Sequence, residues 1–256
     1  EQFLAVSEDA TLKRWSMDGT LLQTYDVHDA STMATDWHPN GQDILTGTAT
    51  GHLYHWTVDG TLVRRWSGHS APIRDIAYSP DGTQFASVSN DNTVRLWSAD
   101  GTLLHTLEHG ASVWRVAFSH DGNLLITGSG DLTARIWRTD GTLLSTLNGH
   151  QSAVWGVAFS PDDNFVATAS VDGTVKLWQL DGTLITTLNG QGSGIRSIVF
   201  SPDGQFLAST GDDRSLSLWN VSVILDLQPL DYACKWVQNY LQTNNTVSQV
   251  EKELCH

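Results

Sequence analysis

The sequence predicts an all-β chain folded as a β-propeller of four-stranded antiparallel blades, and three observations carry that expectation. A tetrapeptide of β-forming residues closes on Trp six times: LKRW at Trp15, LYHW at Trp56, VRLW at Trp97, ARIW at Trp137, VKLW at Trp178 and LSLW at Trp219. The steps between these Trp residues are 41, 41, 40, 41 and 41. Each interval holds several short alternating runs of strand length, separated by Asp-Gly or Asn-Gly pairs that suit hairpin turns needing positive φ. A period of this size, made of hairpin-linked strands, is that of a propeller blade.

Taken in order, residues 1–27 form a partial blade, with FLAVS, TLKRW and TLLQTY as its second, third and fourth strands and no segment for the first. Units 28–68, 69–108, 109–149 and 150–190 each hold a full set. In 69–108, IRDIAYS is the first strand and Pro80-Asp81-Gly82 turns it into QFASVS. Asp91-Asn92 then leads into TVRLW, and Asp100-Gly101 into TLLHTL. Equivalent first turns are Asn40-Gly41, Asp121-Gly122, Asp162-Asp163 and Asp203-Gly204, and the third turns open on Asp18, Asp59, Asp140 and Asp181. The last blade, 191–224, has three such runs, and VSVILDLQ is expected to finish it. Residues 225–256 read as a helical tail, from the spacing of Leu230, Ala233, Trp236, Val237, Tyr240 and Leu241 and a capping box at Ser248 and Glu251. A sheet missing its first strand exposes an edge, so this chain by itself is expected to self-associate.

Composition narrows the function. With 256 residues, 40% hydrophobic, and 11 Trp, the chain is too apolar for disorder. Fourteen Lys and Arg against 28 Asp and Glu give a net charge of -14, whose field opposes general nucleic-acid binding and attachment to anionic membranes. Cys234 and Cys255 are the only cysteines, so no disulfide framework is expected, and a reducing cytoplasm fits.

Motifs for catalysis are few. His52 and His55 lie three apart in a strand and point to opposite faces, so they cannot chelate one ion. Gly190 to Gly194 lacks the Lys and Ser or Thr of a phosphate loop, and Asn220 and Asn244 head formal glycosylation sequons. No metal or cofactor is expected. Asp36, a non-repeating acid on one first strand, is the candidate for a channel-mouth hydrolase. The informative position lies seven residues before each first turn and reads Met33, Arg74, Trp114, Trp155 and Arg196. Counting strands puts all five at the mouth of the central channel, and Trp and Arg dominate interface hot spots. The alternative is that each Trp packs on its own blade. Glu8, Ala49, Asn90, Gly130, Val171 and Asp212 are expected farther out on the same face.

From unit openings near Gly-His to strands ending on Trp, residues 1 to about 222 resemble the WD-repeat family, in a form similar to bacterial, particularly cyanobacterial, members. The resemblance implies a seven-bladed parent ring. It also implies a hydrogen-bonded lock in each blade, complete here as His69, Ser87, Asp91 and Trp97; His109, Thr127, Asp131 and Trp137; and His150, Thr168, Asp172 and Trp178. A hairpin centred near Asn92 would set Ser87 opposite Trp97. Thr50 and Gln191 depart from the lock, so their blades are expected to be softer, and Thr50→Asp is expected to stabilise. Functionally the resemblance implies a non-catalytic scaffold or sensor that binds protein partners at the channel mouth. It suggests the C-terminal part of a longer signalling protein, with upstream domains as intramolecular partners. The alternatives are a small-molecule or glycan binder and a channel-mouth hydrolase.

Overall fold

The computed structural model describes residues 2–26, 29–190 and 193–226. Among them are six antiparallel sheets, four of four strands and two of three, each made of strands adjacent in sequence. The β-propeller reading therefore holds, blade by blade. In one blade the order is Ile73–Tyr78, Gln84–Ser89, Thr93–Ser98 and Leu103–Glu108. In the first and third turns Gly takes positive φ, as at Gly82 (φ 72) and Gly101 (φ 81), where a side chain would be strained. Asp163 takes the same conformation (φ 55) without being Gly.

First strands pack against first strands, which makes them the inner wall: Thr32–Trp37, Ile73–Tyr78, Val113–Phe118, Val154–Phe159 and Ile195–Phe200. The core lies between blades rather than within them. One buried cluster joins Ala86, Val88, Val94 and Leu96 of one blade to Val113, Val116 and Leu125 of the next. Burying one face of each sheet against its neighbour is what ties the units together.

Every inner strand carries a β-bulge near its start. The register passes from Thr32 to Ala34, Ile73 to Asp75, Val113 to Arg115, Val154 to Gly156 and Ile195 to Ser197. The skipped residues are Met33, Arg74, Trp114, Trp155 and Arg196. A bulge releases a residue from the ladder and re-aims its side chain. Each outer strand is bulged as well, so that Leu22, Val63, Leu104, Leu144 and Ile185 drop out of register and stand exposed.

The last blade departs from expectation. After Leu216–Asn220 the chain does not continue as a strand; Val221–Asp226 is a short helix, and among the described residues the sheet has three strands. Asn220 is its N-cap, because its Oδ1 accepts the Val223 N–H at 3.1 Å. Val221 and Ile224, one turn apart, join the core beside Leu207 and Trp219. Of the helical tail expected over 225–256, residues 227–256 lie outside the described residues, as do His28 and Gln191.

Candidate functional site

The five bulge residues come together in one row across five blades. The Arg74 guanidinium lies 5.0 Å from the Trp114 ring centre, Trp114 and Trp155 stack at 4.9 Å, and the Arg196 guanidinium sits 3.5 Å from the Trp155 ring. Met33 ends the row, its sulfur 4.0 Å from Arg74 Nη1. Each member is half-buried. The Trp rings therefore contact side chains of the neighbouring blades.

Residues expected on the outer part of this face brace the row. Asn90 Oδ1 accepts the Arg74 Nε–H at 2.9 Å, and Asp212 accepts two bonds from Arg196, at 2.6 and 2.9 Å. Gly130 lies beside the Trp114 indole, where a Cβ would stand in ordinary contact, 3.4 Å from Trp114 Nε1. That nitrogen is buried with no acceptor among the described residues.

Beneath the row, three blades contain the His sets. His69 Nδ1–H donates to Asp91 at 3.0 Å, Ser87 Oγ lies 2.8 Å from His69 Nε2, and Trp97 Nε1–H donates to the same hydroxyl at 2.9 Å. In the next two blades the corresponding distances are 3.2, 2.8 and 3.0 Å for His109, Thr127, Asp131 and Trp137. They are 2.9, 2.8 and 2.8 Å for His150, Thr168, Asp172 and Trp178. The geometry assigns the protons: a carboxylate can only accept, so Nδ1 carries hydrogen and Nε2 accepts from the hydroxyl. Burial pushes all three imidazoles below their ordinary value despite the Asp partner, which keeps them neutral. Burial pushes the Asp carboxyls up, but bonds from His and Thr outweigh it, and Asp172 falls to about 2.

The register corrects one expectation. Ser87 pairs with Arg95 and Trp97 with Phe85, so the hairpin is centred on Asp91, not Asn92. Trp97 reaches Ser87 diagonally, two residues along the same face.

The blade containing Thr50 has its own polar set. Asp29 Oδ2 stands 2.8 Å from His52 Nδ1, 2.7 Å from Arg65 Nη2 and 3.2 Å from Thr50 Oγ1. Carboxylate and imidazole have exchanged sides of the turn. A carboxylate introduced at Thr50 would face Asp29, so Thr50→Asp becomes destabilising, the reverse of the sequence expectation. His55 pairs with a different acid, Asp43, at 3.1 Å.

Asp36 is a tie between blades. Its oxygens accept N–H bonds from Trp37 at 2.9 Å and from Tyr78, in the next blade, at 2.7 Å. Burial raises its carboxyl. Sequence reasoning missed its counterpart Asp75, which accepts from Val116 N at 3.0 Å across the following seam. Burial, only partly offset by Arg115, raises Asp75 to about 6. Among the described residues no group of three or more His, Cys, Asp or Glu could hold a metal ion, and no helix is long and apolar enough to cross a membrane.

Fold, period and lock together define a propeller of Trp-ended repeats. The family model described as WD domain, G-beta repeat, matches residues 19–57, 60–98, 101–138, 141–179 and 182–220, and the chain belongs to that family. Each matched repeat starts at the outer strand of one blade and ends on the third strand of the next, so repeat and blade are offset by one strand. Repeats of this family generally mediate protein–protein interaction and are typically non-catalytic. A comparison with curated proteins found no match.

Proposed function

We propose that this chain is a non-catalytic scaffold or sensor module that docks a protein partner on the row formed by Met33, Arg74, Trp114, Trp155 and Arg196. We place it in the cytoplasm, as part of a longer signalling protein. The observation that carries the reading is the coincidence of bulge and residue type. Five bulges lift five side chains out of their ladders, and four of the five are Trp or Arg in mutual contact. Hot spots concentrate in such residues because they bring large area and fork-shaped donors. A channel-mouth hydrolase is poorly supported, because both Asp36 oxygens already serve backbone donors.

The test is Trp114→Ala with Trp155→Ala. Docking anchors of this kind typically lose about 2–4 kcal/mol of binding on truncation. Buried filler would instead cost about 3–5 kcal/mol of stability for each Trp. Partners lost from a pulldown, with the thermal melt largely preserved, support the docking surface. Unchanged partners would move the site away from the row.

A further inference from the structure

The chemistry left unused on the row points to one class of partner, an inference that rests on the docking reading above. Each indole has two close neighbours from successive blades: Arg74 and Trp155 beside Trp114, and Trp114 and Arg196 beside Trp155. Each ring already has a cation and a stacked ring as neighbours, so a lysine-rich or methylated-lysine ligand would compete with Arg74 and Arg196 for the π faces. The donor the pair leaves unused and unburied is the Trp155 Nε1–H, on the electropositive edge of the ring quadrupole.

Hydrogen bonding runs the same way. Arg196 uses Nε and Nη2 on Asp212, and Arg74 uses Nε on Asn90 and Nη1 on Met33. Arg196 Nη1, Arg74 Nη2 and Trp155 Nε1 have no acceptor among the described residues, and unlike the Trp114 nitrogen they are not buried. All three are donors. The nearby acceptors are committed: Asp91, Asp131 and Asp172 to His69, His109 and His150, and Asp212 to Arg196.

We propose that the row selects an acidic segment of a partner protein, in which Asp or Glu carboxylates alternate with apolar side chains. The carboxylates take the arginine and indole donors, and the apolar side chains lie along the indole edges and Met33. The net charge of -14 does not forbid this. At about 0.15 M salt the Debye length is about 8 Å, so distant acids are screened while donors in contact are not.

The experiment pans a random short-peptide display library on the full chain at about 0.15 M salt. The expected pool is rich in Asp and Glu beside apolar residues and poor in Lys and Arg. A peptide from it should weaken about tenfold when its acids become amides. It should weaken comparably against Arg74→Gln with Arg196→Gln, while the two Arg→Lys replacements, which keep the charge, recover part of the loss. Thermal melts of all variants are read alongside. A neutral or basic pool whose binding disappears with Trp114→Ala and Trp155→Ala overturns the acidic preference and leaves the docking surface standing. A pool indifferent to both pairs of replacements, or no pool at all, overturns the docking surface and this inference with it.

Discussion

At the residue scale, one first turn departs from the Gly at positive φ that the other blades place there. Asp163 occupies the position held by Gly41, Gly82, Gly122 and Gly204 in other blades, at a strain of about 1–2 kcal/mol. Its carboxylate reaches back to the preceding blade. There it accepts the backbone N–H groups of His120 and Asp121, both at 3.0 Å, and His120 Nδ1 at 2.8 Å. Bonds to a charged acceptor contribute about 1.5–3 kcal/mol each, which outweighs the strain. Asp163→Gly should therefore destabilise by about 1–3 kcal/mol, although it removes the unfavourable backbone conformation. A denaturant midpoint at or above that of the parent would show that the clamp contributes nothing. Asp131→Ala acts on the buried set instead, leaving the His109 Nδ1–H without its acceptor, and should cost about 1–3 kcal/mol in the same measurement.

At the element scale, the strands and hairpins were legible because period and turn chemistry agree in every unit. The bulges were not read, although their signal is in the sequence. Ile73 and Ile76, Val113 and Val116, Val154 and Val157, and Ile195 and Ile198 are buried pairs spaced three apart inside strands. Strict alternation permits only even spacing on one face, so each pair requires one extra residue between its members. The rim positions were found by counting back from the turns, without that reason for their direction. The tying role of Asp36 and Asp75 was obscured for another reason: a carboxylate serving the backbone of the next blade leaves no local pattern. The terminal helix was missed because VSVILD is β-branched and apolar. Its start is set by the Asn220 side chain and by tertiary burial of Val221 and Ile224. Asn220→Ala should cost about 1 kcal/mol, the usual value of an N-cap. Thermal denaturation of Asn220→Ala beside Asn220→Ser, which can still cap, separates the cap from simple loss of a polar side chain.

At the scale of the whole molecule, buried titratable groups along the blades work against one another as pH falls. His69, His109 and His150 have folded values below the ordinary 6.5, so the unfolded chain binds more protons. Their contribution is fully present above 6.5 and declines as pH falls toward the folded values. Asp75, raised to about 6, and Asp36, also raised, have the opposite sign. Folding opposes their ionisation, and for Asp75 that cost disappears as pH falls from about 6 toward 3.8. Between pH 7 and 6 the histidines dominate, and the melting temperature should drop. Below 6 Asp75, with Asp36 acting in the same direction, blunts the decline, until below about 3.8 the unfolded chain takes up protons that the paired Asp91, Asp131 and Asp172 resist, and the stability those pairs contribute is lost too. Asp75→Asn isolates the offset. The amide oxygen can still accept from Val116 N, but the burial of a charge is gone, an effect of up to about 3 kcal/mol from a shift of this size. The variant should therefore melt higher than the parent at pH 7.5 and lose that advantage by pH 4.5, giving a steeper acid branch. A curve parallel to the parent's over this range would mean that Asp75 titrates as an ordinary carboxylate and that the inner wall carries no such opposition.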